Sequence, residues 1–461
     1  MLAATCSYNV ASVYGYFSPA GLAQTPPMSN RSASDVASCS TTESSLRPSL
    51  TTLRGTAVML NIVLGAGLLT LPGLAVLQLG NQAILVWLFC ALAALPLLIA
   101  FTLLASRIPH AGGMAKVASL SLGDFGLVLT TLLFLGAVLF GLPSIALTGG
   151  FYLQALIGGS AYLYAALLLL LAVGVNLLSV DWTSRINAAI ASLVLMALVG
   201  VAGLGLALSA ADIPSSLPSW PPSLSLANFG LTFMMVFFAF TGWEVAANLS
   251  AEFHRPQRDF PRAMALSFLV ALLIYFALAL VAGAMDVTAR PEAPFALLFE
   301  QRFGTAGLLC ISLLAVVMIS ANLAAAVWAV SRMVWAASKE GILPPLLSRV
   351  SGAVPAAAVI VTVAAFLAVT ALSALGWVNL ASMLALAGQN FLLIYGLAIL
   401  TLILKGRNGL EKGLGVFCVI QVILLVAWRG SDGLIYPLLL ALAATLVTLR
   451  RQQKAIRGLA E

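Results

Sequence analysis

Glu244 is the residue in this chain best placed to do chemistry. It sits in the stretch Phe237 to Pro261, FFAFTGWEVAANLSAEFHRPQRDFP, which begins as an apolar helix and breaks at Thr241-Gly242-Trp243. The helix then resumes to Phe253 and ends in a basic loop. No other acid falls deep inside an apolar run. A charge at the centre of a membrane helix costs about 2.5–3.5 kcal/mol on insertion scales, so such a residue marks function by default. At a half-helix start the dipole favours the anion, while desolvation opposes ionisation. A purely structural buried hydrogen bond is the competing reading. Catalysis would need partners that the sequence does not supply. The only histidines, His110 and His254, lie in loops, and no Ser/His/Asp set or cluster of acids accompanies Glu244. The five cysteines show no metal spacing such as CxxC, so no metal, cofactor or disulfide framework is expected.

A second spacing matters as much. Leu64-Gly65-Ala66-Gly67-Leu68, followed by Pro72, interrupts another apolar run. Glycine costs about 1 kcal/mol in a helix interior, so paired glycines invite unwinding. Gly-x-Gly alone serves close helix packing more often. Paired with a second break beside a buried acid, it points elsewhere, because interrupted helices at matching positions of two halves mark a binding site. Unwound backbone in a membrane must be buried or line a wet cavity. It offers N–H groups at one half-helix start and carbonyls at another's end, which suit a carboxylate and an ammonium. Phe240 and Trp243 would wall such a site. Ser320 and Asn322, further along, would give polar support or simply join helices.

The elements that position these residues follow from composition. Of 461 residues, 62% are hydrophobic and 8% charged. A soluble domain carries about a quarter charged residues, so the chain is an integral membrane protein. No charge occurs between Arg54 and Arg107, Asp124 and Asp181, or Arg349 and Lys405. Each run holds two helices of about 20 residues, and the alternation of a β-barrel is absent. The fold expected is all-α, with about twelve transmembrane helices. The spans read 53–79, 83–104, 125–156, 162–178, 186–208, 228–253, 263–284, 307–337, 356–375, 378–404, 413–428 and 434–449. Spans one to five and six to ten look like related halves crossing in opposite directions. The repeats are placed at about 53–209 and 227–404, with two extra helices at 413–449, all within one transmembrane domain, 53–449. The Pro-rich stretch Ile213–Leu224 is an external connection, and Asp286–Arg302 a longer polar loop.

Residues 1–52, rich in Ser, Thr, Ala and Pro, read as a disordered cytoplasmic tail, with a targeting presequence as the alternative. Residues 450–461 read as a second cytoplasmic tail. With both ends inside, the outer loops hold only Arg290, Arg302 and Arg429 of the 22 basic residues. The positive-inside rule therefore places both termini in the cytoplasm of a multi-pass cell-membrane protein. The net charge of +7 belongs to loops facing anionic lipid rather than to nucleic-acid binding. Oligomeric state is not legible.

Several motifs resemble the amino acid–polyamine–organocation (APC) superfamily, and in the right order. FTGWEVAANLSAEFHRPQRDFPRAM is similar to its sixth-helix signature and following loop, VLGAGLLTLP to its first-helix motif, RIPHAGGMAK to its Pro-x-x-Gly-Gly loop and KEGILP to its Asp/Glu-Gly-x-x-Pro loop. The match covers about Leu53 to Leu404. Within the superfamily, Phe240 to Met264 is most similar to bacterial exporters of methionine and branched-chain amino acids. The resemblance implies a five-plus-five inverted repeat (LeuT-like) with two added C-terminal helices. It implies that Gly65, Ala66 and Gly67 offer backbone to a substrate carboxylate. Phe240, Thr241 and Gly242 would offer carbonyls to its ammonium, and Glu244 would gate or couple to protons. Some proton-coupled relatives carry a lysine in the fifth helix, and Ile186–Leu208 has none.

Secondary transport of a neutral, apolar amino acid is the function expected, as an exporter or proton-coupled antiporter. The alternatives are an uptake permease or exchanger for cationic amino acids or polyamines, and a sensor derived from a transporter scaffold. A fold of two six-helix halves is disfavoured, because the long central loop is missing.

Overall fold

The structure, a computed structural model, describes residues 50–107, 113–177, 180–218, 225–350 and 355–458. The expected tail up to residue 49, the centre of the RIPHAGGMAK loop, the end of the Pro-rich connection and the last three residues of the C-terminal tail lie outside the described residues. One isolated bridge apart, the described residues form helices and no strand. In order these are α1 (Thr52–Val63), α2 (Leu71–Leu79), α3 (Ala83–Arg107), α4 (Gly113–Ile157), α5 (Ala161–Leu177), α6 (Val180–Ser209) and the short α7 (Ile213–Ser216). Then follow α8 (Leu226–Phe237), α9 (Trp243–Ala247), α10 (Pro256–Gly283), α11 (Pro294–Lys339), α12 (Ala356–Ala374), α13 (Leu380–Lys405), α14 (Gly409–Trp428) and α15 (Ser431–Gly458). Among the described residues, eight helical segments are long and apolar enough to cross a membrane, and three shorter apolar ones accompany them. Each of the eight falls on one span expected from sequence except Leu71–Ser106, which runs from the second half of the expected first span through the second.

The core lies where helices meet, and exposed leucine marks the lipid face. Trp87, Tyr152, Tyr275, Tyr395 and Phe101 are fully buried, whereas Leu163, Leu167 and Leu171 on α5 and Ile423 and Leu424 on α14 are exposed. In hydrocarbon this costs nothing, because lipid tails are as apolar as leucine. Small residues bring backbones together instead. A Cβ on Gly388 of α13 would stand 2.1 Å from the Met234 carbonyl oxygen of α8, and one on Gly150 of α4 would stand 2.1 Å from the Ala161 carbonyl oxygen of α5.

Two helices run longer than their spans because of one device used twice. α4 bends at Gly123 (φ 60°, ψ −146°), and α11 bends at Gly304 (φ 62°, ψ −152°). An L side chain rarely takes this backbone conformation, so glycine alone turns the chain there without strain. Three residues on, a Cβ at Gly126 would meet the Ala118 carbonyl oxygen at 2.7 Å, and one at Gly307 the Phe299 carbonyl oxygen at 2.3 Å. The first arm folds tightly against the second in both helices. The loop expected at Asp286–Arg302 is thus helical from Pro294, and Lys116 belongs to α4 rather than to a loop.

Candidate functional site

α1 stops because its glycines let it. Leu64 N–H still bonds the Leu60 carbonyl (2.8 Å), but Gly65 is extended (φ −89°, ψ 162°). A 3-10 turn, Ala66–Leu69, follows before α2 restarts with Pro72 in its first turn, where a missing N–H costs no hydrogen bond. The second interruption is built differently. α8 tightens into a 3-10 turn, Phe238–Phe240, and Thr241 is extended (φ −98°, ψ 170°). Gly242 then turns the chain at φ +104° into the five-residue α9. Beyond α9 the chain winds as a 3-10 turn, Asn248–Glu252, rather than as the α-helix expected to Phe253. Trp243 is the first residue of α9 and not part of the break.

The two interruptions touch. A Cβ on Gly242 would lie 3.4 Å from Val63 Cα and 3.5 Å from the Ile62 carbonyl oxygen, and one on Gly67 would lie 3.7 Å from the Phe238 ring. The first N–H groups of the Ala66–Leu69 turn have no acceptor within it, as at any helix start. Thr241 Oγ1 donates to the Phe238 carbonyl (2.7 Å), closing its own turn. The Gly242 carbonyl accepts from Ala246 N–H (3.2 Å).

Glu244 does not face open space. Its Oε2 accepts from Gly242 N–H (2.9 Å) and from the Tyr395 hydroxyl (2.5 Å) of α13. The carboxylate therefore fixes the break and ties it to the tenth span. The apolar walls separate the two expected aromatic residues. Phe240 stands against Trp87 (6.3 Å between ring centroids) and Tyr275 (5.1 Å). Trp243 turns instead onto Phe268 of α10 (5.6 Å). Ser320 and Asn322 lie half-buried on α11, which packs against the Ala66–Leu69 turn. Among the described residues neither side chain makes a hydrogen bond, so the helix-joining role expected for them is not seen.

Three tyrosines that sequence reasoning passed over brace the breaks. Tyr152 donates to the Leu69 carbonyl (3.1 Å), Tyr275 to the Ala239 carbonyl (2.7 Å) and Tyr395 to Glu244. The available signal was simply tyrosine inside an apolar span, since a buried hydroxyl needs a partner. Thr70 adds a fourth brace, donating to the Glu292 carbonyl (2.7 Å) beside Thr148 Oγ1 (3.0 Å).

Comparison with known proteins gives this geometry a context. The family model described as "Amino acid permease" matches residues 50–452. The uncharacterized amino acid permease YecA of Bacillus subtilis (strain 168) is 28% identical over 408 residues, covering 86% of this chain and 95% of that protein. The L-methionine/branched-chain amino acid exporter YjeH of Escherichia coli (strain K12) is 27% identical over 404 residues, covering 85% and 95%. A methylthioribose transporter of Bacillus subtilis (strain 168) is 26% identical over 338 residues, covering 66% and 70%.

Proposed function

The chain belongs to the amino acid permease family, a family of transporters rather than enzymes, and on that footing we propose that it moves neutral, apolar L-amino acids across the cell membrane by secondary active transport. The observation that carries this reading is the contact between the two helix breaks, Gly242 against Ile62 and Val63. In the proposed site the N–H groups of Ala66 and Gly67 receive the substrate carboxylate, beside Gly65, whose own N–H is held by the Val63 carbonyl (2.9 Å). The carbonyls of Phe240 and Thr241, with Gly242 turning the chain, receive its ammonium. Such a pair of half-helix ends recognises a zwitterion without any charged side chain. Phe240 and its aromatic neighbours suit an apolar side chain, and the printed name of the Escherichia coli relative makes methionine and the branched-chain amino acids the first candidates. We place both termini in the cytoplasm, the two repeats at about 53–209 and 227–404, and proton exchange through Glu244.

Two measurements test this. Everted vesicles holding the protein should accumulate labelled methionine, leucine, isoleucine or valine faster than empty vesicles when acidified inside. Equality with empty vesicles across all standard amino acids would remove the proposal. Glu244→Gln should reduce proton-driven flux far more than it reduces the amount of protein inserted, and flux unchanged at every pH would remove the role of the acid. The competing substrate class is a cationic amino acid or polyamine. The trio Trp87, Phe240 and Tyr275 favours it, because aromatic faces attract cations. Competition by excess lysine, arginine or a polyamine against labelled leucine separates the two classes.

A further inference from the structure

We propose that the chain carries a site for an anionic phospholipid where α10 begins, at the end of the molecule that bears the N-terminal tail. A cavity of about 460 Å³ opens there, lined by Ser106 of α3 and by Arg255, Pro256, Gln257 and Arg258. Pockets of about 300–1,000 Å³ hold small ligands, so a glycerophosphate head fits. Both arginines are exposed, and neither makes an ion pair or side-chain hydrogen bond among the described residues. The carboxylate of the first α10 turn, Asp259, is directed to the Thr52 hydroxyl (3.3 Å). The arginines at the opposite end of the molecule are all engaged. Arg290 pairs with Glu300 (2.5 Å), Arg302 with Asp212 (3.7 Å), and Arg429 donates to Gln389.

The sequence of α10 says which phosphate. Arg258, Arg262, Leu266, Leu269 and Leu273 recur at the three- and four-residue spacing of one helical face, and all five are exposed. That face passes from guanidinium to hydrocarbon over the length of a phospholipid, so the acyl chains lie along the leucines and the phosphodiester sits in the cavity. A guanidinium fork matches the two free phosphate oxygens, and the start of α10 adds its positive dipole end. Soluble phosphate shares the head-group chemistry but would leave the leucine stripe unexplained. The inference concerns the membrane contact and does not depend on the transported substrate.

The test uses the full chain in phosphatidylcholine nanodiscs titrated with phosphatidylglycerol and read by native mass spectrometry. Each arginine is worth about fivefold in affinity for an anionic surface, so R255Q/R258Q should weaken phosphatidylglycerol retention about thirtyfold. K405Q/K412Q, which removes two exposed cations elsewhere at the same end, should leave it unchanged. Should the double variant fail to fold, Arg258→Gln alone is read for a fivefold loss. Equal retention by parent and R255Q/R258Q overturns the site. An equal loss in K405Q/K412Q overturns it as well, since general surface charge then accounts for binding. Binding of millimolar inorganic phosphate by the parent and not by R255Q/R258Q, with phosphatidylglycerol retention equal in the two, would reassign the cavity to a soluble anion and overturn the lipid.

Discussion

A single carboxylate oxygen joins three pieces of this molecule. Glu244 accepts the N–H of Gly242 two residues before it and the hydroxyl of Tyr395, 151 residues away. Removing a partner so that a buried acceptor is left short costs about 1–3 kcal/mol. Tyr395→Phe should therefore lower the thermal midpoint in detergent, with the loss shrinking when Glu244→Gln is already present. That non-additivity is the signature of a direct pair, worth about 0.5–3 kcal/mol in a double-mutant cycle. Additive losses would mean that the hydroxyl and the carboxyl act separately. Gly242→Ala is a different case. Its Cβ would find only ordinary contacts, the nearest at 3.4 Å, but φ is +104°. The substitution should cost about 1–3 kcal/mol of backbone strain, readable in the same melt. Glu244 was legible in the sequence because a charge inside an apolar run has few meanings. Tyr395 was not, because tyrosine in a membrane span reads equally as core or interface, and no local spacing links it to its partner. Trp243 illustrates a related point. Adjacency to a break fixes the position of a backbone, while a half-turn of helix decides which way the ring goes, here toward Phe268.

Among the elements, the interrupted helices were readable and the bent ones were not. Gly-x-Gly with a following proline, and Thr-Gly-Trp before an acid, mark places where a helix loses its ladder, and both are breaks in the structure. The bends at Gly123 and Gly304 carry an equally simple pattern, Gly123-Asp124-Phe125-Gly126 and Gly304-Thr305-Ala306-Gly307. In a sequence such spacing suggests helix packing, since nothing local reveals a positive φ. The structure separates two jobs within it: the first glycine turns the chain, and the second admits a carbonyl from the preceding arm. The same device opens the third span and the eighth, which is the correspondence that two related halves require. Gly304→Ala should cost about 1–3 kcal/mol through strain. Gly307→Ala should cost at least as much, because the backbone oxygen of Phe299 at 2.3 Å has nowhere to move. Gly200→Ala and Gly203→Ala serve as controls. Both sit in α6 with nothing within 4 Å of an added Cβ, and there alanine should stabilise by up to about 1 kcal/mol. If all four variants melt alike, the bends have no energetic distinction from ordinary helix.

Across the whole molecule, the breaks are stitched at both ends. On the side of the N-terminal tail, Leu50 N–H donates to the Glu252 carbonyl (3.0 Å) and His254 N–H to the Leu50 carbonyl (3.2 Å), so the approach to α1 pairs with the chain leaving α9. The Phe253 ring seals the joint, lying where a Cβ of Gly55 would be (2.2 Å). On the other side, Thr70 holds the Glu292 carbonyl, and Gly73 admits the Pro291 carbonyl oxygen to 2.3 Å of its missing Cβ. A substrate site at the meeting of the breaks, as proposed above, would lie between the two stitches and would pass a solute only if each side opened in turn. The tail-side stitch offers the sharper test, because facing residues of a two-strand bridge lie within disulfide reach. In a background free of native cysteines, Leu50→Cys with Phe253→Cys should cross-link on oxidation. Amino-acid flux should then fall to that of empty vesicles, and reductant should restore it. The reduced form of the same variant isolates the loss of the Phe253 ring from the effect of the cross-link. Binding from the opposite side should survive oxidation, since the breaks themselves are not joined. Full flux with the cross-link complete would show that this end never parts, and the alternating route through the paired breaks would fall with it.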